Sequence, residues 1–206
     1  MTGLREKQKA DRRKRIIDAA KQLFAQAGHD NTTIEAIADA AGVSGVTVHN
    51  YYGTKSGVLL ALVAESDREL VEKIGKRLPG KTDNLLDLTL LFAEIIRDHA
   101  ITKLEKSIWR QVIAALITTN DPRFGKSYHG LDHQLALALV REIGALQTAG
   151  KVSPDVSAYD LGKALFQLQN MRFIQFISSD DIGSAAIGNV LRNDLRALFA
   201  AHPVKD

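Results

Sequence analysis

The densest run of side chains able to make specific polar contacts in this 206-residue chain is Thr32–Lys55, TTIEAIADAAGVSGVTVHNYYGTK. Asn50 can pair bidentately with an adenine edge. His49 and Thr47 can bond a base edge or a phosphate, and Val46 or the Thr47 methyl can meet a thymine methyl. Tyr51 and Lys55 suit phosphate oxygens, and Lys55 falls in the first turn of the next helix, where backbone N–H groups also favour an anion. Upstream, residues 1–15 carry Arg5, Lys7, Lys9, Arg12, Arg13, Lys14 and Arg15 against only Glu6 and Asp11. The formal net charge is only +3, so the basicity is local. A basic arm running into a helix suits a polyanion, either nucleic acid or an anionic membrane.

These side chains need a scaffold, and apolar spacing supplies one. Apolar residues recur at three and four positions nearly everywhere and no segment reads as strand, so an all-α fold is expected. A first helix over about residues 9–27 carries the stripe Ile16, Ala20, Leu23, Phe24 and Ala27, and Gly28 is placed to close it in a left-handed conformation. Thr32 with Glu35 three residues on reads as a capping box. The second helix buries Ile34, Ile37, Ala38 and Ala41, and Gly42 permits a sharp turn. Val43 plugs the corner, and Ser44 is a good N-cap for a short third helix ending near Tyr52. Val48 and Tyr52 face inward, which leaves Gly45, Val46, Thr47, His49, Asn50 and Tyr51 outward. That geometry is a helix-turn-helix with a recognition helix.

A long fourth helix should run from Thr54 to Leu78, stopped by Pro79 and Gly80, spanning roughly 35 Å at 1.5 Å per residue. Five more helices are expected near 83–100, 103–118, 123–149, 155–178 and 183–200, with Thr102, Asn120–Pro122, Gly150–Pro154 and Ser178–Gly183 as separators. There is no cysteine, so disulfides and thiolate metal sites are excluded. No signal-peptide run is present, and the longest apolar stretch, Leu85–Ile96, is short and broken by Asp87 and Glu94. A cytoplasmic protein without a membrane partner is expected.

The ordered set Ile17–Ala20, Leu23-Phe24, Gly28, Thr33, Ile37-Ala38, Ala41-Gly42-Val43-Ser44, Thr47, Tyr51-Tyr52, Lys55 and Leu59-Leu60 resembles the TetR family of transcriptional regulators from about Arg13 to Leu62. Two positions depart from the pattern: His49 stands where an aromatic residue, often tyrosine, is usual, and Tyr52 where phenylalanine is frequent. The resemblance implies an all-α homodimer in which residues 1–54 bind a near-palindromic DNA operator and residues 55–206 bind a small-molecule effector and dimerise. The candidate DNA-contacting set is Thr33, Ser44, Gly45, Val46, Thr47, His49, Asn50, Tyr51 and Lys55.

Beyond Lys55 the resemblance is weak, and the residues must be read on their own. Phe92, His99, Trp109, Tyr128, His133 and Phe173 combine apolar bulk with a few orienting polar groups, as an effector cavity requires. Taken singly, each suits ordinary core packing better; for the region as a whole, the resemblance favours a cavity. His129 and His133 lie one turn apart, with His99 a conceivable third ligand, but two histidines make a weak metal site. No metal and no cofactor are expected. The last two helices, with Leu165, Phe166, Met171, Phe173, Ile174 and then Val190, Leu191, Leu195 and Leu198, are apolar over a face wide enough to serve a core and a partner copy.

No Gly-rich phosphate loop and no nucleophile at a diagnostic spacing is present, which argues against an enzyme. The remaining alternatives are a transcriptional activator of the same fold and a helical module for anionic membranes or protein partners. The second would leave the polar outer face of the third helix unexplained.

Overall fold

The computed structural model describes residues 2–118 and 122–201. Asn120 and Asp121 of the expected separator lie outside the described residues. Nine α-helices and no strand occur among the described residues: α1 (Thr2–Asn31), α2 (Ile34–Ala41), α3 (Gly45–Tyr52), α4 (Lys55–Arg77), α5 (Leu85–Lys103), α6 (Lys106–Thr118), α7 (Pro122–Thr148), α8 (Ala158–Ser178) and α9 (Ser184–Ala201). The contacts divide the chain into two compact units. One comprises the chain through Ser66 together with Leu104–Tyr128. The other comprises Asp67–Lys103 and the chain from His129 onward. Segment 1–54 falls whole inside the first unit.

In the first unit α1 packs on α2 and α6, and α2 packs on α3. Ile16, Ala20, Phe24, Ile37, Val48, Val58 and Leu59 are fully out of solvent, so the stripes on these short helices close around one another. The basic arm is helical from Thr2 rather than from residue 9, and residues 3–15 are exposed throughout. Gly28 has φ 79° but ψ 165°. That is not the left-handed helical cap expected of it. The chain bends there and makes a further turn to Asn31.

The cap of α2 also differs from expectation by one residue. Thr33 is the N-cap, accepting from the Ala36 amide at 3.0 Å. Thr32 is buried and donates to the Gly28 carbonyl at 2.7 Å. Two adjacent threonines can each supply the cap, and burial of the first against the end of α1 decides between them. At the corner, Gly42 is left-handed (φ 63°, ψ 43°) and Ser44 caps α3 by accepting from the Thr47 amide at 3.2 Å, as the spacing predicts.

In the second unit the core is formed by Leu70, Ile74, Leu78, Leu88, Phe92, Ile95, Leu139, Ile143, Phe166, Leu191 and Leu195, among others. Phe92 meets Phe166 edge to face, with centroids 6.3 Å apart. α9 is fixed to its neighbours by two arginines. Arg172 on α8 grips Asp194 bidentately at 2.6 and 2.8 Å. Arg97 on α5 is buried and donates to the Ser184 hydroxyl at 3.3 Å. Its guanidinium lies where Gly188 leaves room: a Cβ there would stand 3.2 Å from Nη2.

Helices α7 and α8 cross at Gly162 with no room to spare. A Cβ at Gly162 would stand 2.5 Å from Val140 Cγ2 and 3.0 Å from its Cα. Gly162→Ala must therefore separate the two backbones, and overpacking of this kind costs about 1–3 kcal/mol. Urea unfolding of the full chain should show that loss; an unchanged midpoint would mean that the crossing yields freely.

Candidate functional site

The outward face of α3 is built by burial of the opposite one. Val48 is fully buried, whereas Val46 is 69% exposed and His49 and Asn50 are also exposed. Eight residues make only about two turns, so a single buried residue fixes which way the rest point.

The polar groups on this face are not equally free. The Ser44 and Thr47 hydroxyls bond each other at 2.9 Å, and Ser44 also holds the helix cap. His49 Nδ1 lies 2.8 Å from the Gly53 carbonyl. A carbonyl can only accept, so the proton is on Nδ1 and the lone pair on Nε2 is left as an acceptor. Asn50 has no bond to another side chain or backbone group among the described residues. It keeps a carboxamide with both donor and acceptor for a partner. Gly45 is half-buried, and Thr33 is exposed with its oxygen committed to the α2 cap.

Arg13 and Tyr51 pair across α1 and α3, the guanidinium 5.4 Å from the ring centroid. Tyr52 is half-buried and donates from its hydroxyl to the Arg13 carbonyl at 3.5 Å. Burial of that ring pushes the phenol up from its ordinary value. Arg15 donates to the Ala41 carbonyl at 3.0 Å, at the end of α2. The basic arm is thus docked on the helix-turn-helix by its own last residues, while Arg5, Lys7, Lys9 and Arg12 remain exposed.

Lys55 has a role that its spacing did not reveal. Its ammonium donates to the carbonyl of His29 and, at 3.3 Å, to that of Asp30. It closes the C-terminal end of α1, where unpaired carbonyls and the helix dipole both favour a cation. Gly57 is the second residue that sequence reasoning missed. A Cβ there would fall 2.0 Å from the Tyr52 carbonyl oxygen. Only glycine lets α4 start so close beneath the end of α3. The signal was present as a glycine one turn into a strongly periodic helix, a position where glycine costs about 1 kcal/mol without a packing reason.

The expected effector residues are divided between the units. Trp109 and Tyr128 belong to the first; Phe92, His99, His133 and Phe173 belong to the second. All are buried except His133, which is exposed and stacks edge-on against Tyr159 at 6.5 Å. His129 and His133 share a face of α7, and no group of three His, Cys, Asp or Glu placed to hold a metal occurs among the described residues. Among those residues, no helix is long and apolar enough to cross a membrane.

The second unit also buries polar groups that sequence patterning did not single out. Gln169 on α8 is 2% exposed and its Oε1 has no partner. Asp67 on α4 is 7% exposed. Burial, reinforced by the charge of Asp132 on α7, pushes its carboxyl up to about 7, and burial pushes Asp132 up to about 7 as well. One polar residue within an apolar stripe is easily read as the edge of that stripe, so nothing in the sequence distinguished them.

Comparison with known proteins bears on both regions. Residues 16–62 match the model of the bacterial regulatory proteins, tetR family. The chain is 28% identical over 156 residues to the HTH-type transcriptional repressor Rv1474c of Mycobacterium tuberculosis, covering 76% of this chain and 77% of that one. It is 29% identical over 106 residues to the fatty acid metabolism regulator protein of Bacillus subtilis, covering 48% and 55% respectively. Among solved structures, Thermus thermophilus FadR, a TetR family transcriptional repressor in complex with lauroyl-CoA, superimposes with a TM-score of 0.68 at 26% identity. The match covers 94% of this chain and 96% of that one. A regulator chain from Saccharomonospora viridis in complex with choline shares the fold at a TM-score of 0.65 and 22% identity, covering 94% and 97%.

The raised carboxyl of Asp67 has a measurable sign. The unfolded chain releases this proton near pH 4 and the folded chain keeps it to about 7, so its stabilising contribution is present at low pH and is lost as pH rises through that window. Asp67→Asn removes the titration. The variant should be more stable than the parent at pH 8 by on the order of 2–4 kcal/mol, with the difference shrinking toward zero at pH 4. Thermal unfolding across that range tests it, and a pH-independent difference would show that Asp67 is not held protonated.

Proposed function

The chain belongs to the tetR family of bacterial regulatory proteins, and from that premise we propose that it is a cytoplasmic, non-enzymatic repressor that binds a near-palindromic operator as a homodimer and leaves it when a small molecule occupies the second unit. One observation carries the reading. Asn50, His49 and Val46 are exposed side by side on a helix whose other face is sealed by Val48, with an exposed basic arm leading into the same unit. Residues 1–54 make the DNA-binding part and 55–206 the effector-binding and dimerisation part. Within the first, Asn50, the Nε2 acceptor of His49 and the Val46 methyls read base edges. Thr33, Ser44, Gly45, Thr47 and Tyr51 approach the phosphates. Lys55 acts on the DNA through the end of α1 that it holds.

Dimerisation is supported by the apolar surface left on α8 and α9. Met171 is 62% exposed and Leu198 is 52% exposed, and Tyr159 and Val190 accompany them. Exposed apolar residues spread along two adjoining helices suit burial against a second copy. Two recognition helices of such a dimer should lie about 34–36 Å apart, one turn of DNA.

For the effector, the buried amide of Gln169 with Phe173 and His99 provides the expected pattern of an apolar wall and a few orienting polar groups. The relatives' ligands differ widely, an acyl-CoA in one and choline in another, so the class of effector follows from this chain's own groups. The carboxyls of the buried Asp67 and the half-buried Asp132 favour an effector bearing a cation or hydrogen-bond donors.

A duplex selected from a random pool by the full chain provides the test. Affinity should fall steeply with salt, with a log–log slope of about 0.9 per phosphate neutralised. Asn50→Ala should cost about 1–3 kcal/mol and relax preference at one base pair of each half-site. Lys55→Met should weaken all sequences alike and also lower thermal stability, because it opens the end of α1. Equal losses on selected and random duplex for Asn50→Ala would remove it as a base reader.

A further inference from the structure

A cleft of about 480 Å³ lies in the first unit, away from the outward face of α3. It is lined by the last turn of α1 (Ala27, Gly28, His29, Asp30 and Asn31), by Ser56 in the first turn of α4, and by Gln111, Ala114, Ala115 and Thr118 on α6. That size lies within the range of small-molecule clefts.

The cleft coincides with a second, independent feature. Among the described residues, three buried side-chain polar atoms lack a hydrogen-bond partner, and two of them, His29 Nε2 and Gln111 Oε1, belong to residues of this lining. Native proteins rarely leave such atoms unpaired, and each instance calls for a physical cause. Burial lowers the pKa of the imidazole and favours its neutral form; the hydrogen bond to Asp30 opposes that shift, and the charge of Lys55 adds a smaller push in the lowering direction. Its Nδ1 faces Asp30 Oδ1 at 3.4 Å. A carboxylate accepts, so the proton sits on Nδ1 and Nε2 is an acceptor. Both unpaired atoms therefore lack the same thing, a donor.

The neighbouring side chains are biased the same way. Asn31 donates back to the Ala27 carbonyl at 3.0 Å, and Thr118 to the Ala114 carbonyl at 2.8 Å. Each spends a donor on its own helix and keeps oxygen lone pairs. The Ser56 hydroxyl, the Gln111 NH₂ and the second N–H of Asn31 are the side-chain donors left in the lining. Charge selects further among ligands. The Lys55 ammonium adjoins the site and already resists protonation of His29, so a cationic ligand is disfavoured. The surplus of acceptors, the Asp30 carboxylate and the negative ends of α1 and α6 disfavour an anion. Ala27, Ala114 and Ala115 add small apolar faces.

We infer that this cleft is a binding site for a neutral polyhydroxy compound of about monosaccharide size, separate from the effector site of the second unit. Hydroxyl groups donate to His29 and Gln111 while accepting from Ser56, and the C–H face of the ring lies on the alanines. In the present conformation the two orphan atoms are sealed from solvent, so the ligand reaches them as the imidazole and the amide turn about their terminal torsions, which are broad and soft. The bound compound braces the end of α1 against α4 and α6, the frame around the helix-turn-helix.

The experiment uses the full chain labelled with ¹⁵N-histidine, with His29 assigned through His29→Gln, titrated with glucose, myo-inositol and glycerol, and with putrescine and sulfate as charged comparators. A neutral polyol should shift His29 Nε2 saturably from a bare acceptor to a hydrogen-bonded one. Gln111→Leu should weaken that binding roughly three- to tenfold, the loss of one neutral hydrogen bond. Ala114→Trp, placed on the exposed lip, should abolish it while the far-UV spectrum and DNA binding persist. Absence of saturable change with every polyol, tighter binding of putrescine or sulfate, or polyol binding unaffected by Ala114→Trp would each overturn the assignment.

Discussion

The ammonium of Lys55, seated on the carbonyls of His29 and Asp30, is the contact on which the first unit depends. It joins the end of α1 to the start of α4, the two elements that bracket the helix-turn-helix in sequence. Between them lie only two eight-residue helices, too short to be stable alone. They hold their shape because both flanking helices are fixed. A cation on the last carbonyls of a long helix is favoured by the dipole as well as by the direct bonds. A lysine serves better here than an arginine, because a compact ammonium can sit over two successive carbonyls without the span of a planar fork.

Around that tie, the unit combines close backbone approach with a core of Ile16, Phe24, Ile37 and Leu59. Gly57 lets α4 begin against the Tyr52 carbonyl, Gly42 turns the corner between α2 and α3, and Ala38 and Ala41 keep the pair near each other. These contacts leave the outer face of α3 free to carry polar residues. The same economy limits what α3 can offer: Ser44 and Thr47 are partly used up holding the helix, and His49 is fixed in one tautomer by the Gly53 carbonyl. Asn50 alone on that face keeps an unengaged carboxamide, which is why it carries the proposed reading of a base.

The second unit is organised by different physics. Its core is large and aliphatic, and its polar groups are exceptions that must be accounted for singly. Arg97 and Arg172 fix α9 through a hydroxyl and a carboxylate, which is a structural role. Gln169 is buried with its Oε1 unpaired, and Asp67 is buried with the half-buried Asp132 near enough to raise its carboxyl further. A core built only for stability would have apolar residues at these places, since burying an unpaired amide or carboxyl costs free energy. Their presence is what supports the proposed reading of this unit as the effector-binding part.

Sequence alone determined the all-α class, the helix-turn-helix, the Ser44 cap, the Gly42 turn and the outward place of Val46, His49 and Asn50 on α3, because each follows from local periodicity, capping chemistry or the special backbone freedom of glycine; Gly45, Thr47 and Tyr51, expected outward as well, are half-buried. These are short-range properties, and the chain writes them within a few residues. The tertiary structure decided whatever depended on contact between distant segments. It moved the α2 cap from Thr32 to Thr33 because the end of α1 buries the first, and it carried the chain past Gly28 for another turn. It gave the Lys55 ammonium to the carbonyls of α1. It explained Gly57 and Gly162 by backbones approaching from elsewhere, and it left His29 Nε2, Gln111 Oε1 and Gln169 Oε1 without hydrogen-bond partners. Hydrogen bonds and burial are settled by which groups meet across tens of residues, and no local spacing records that meeting.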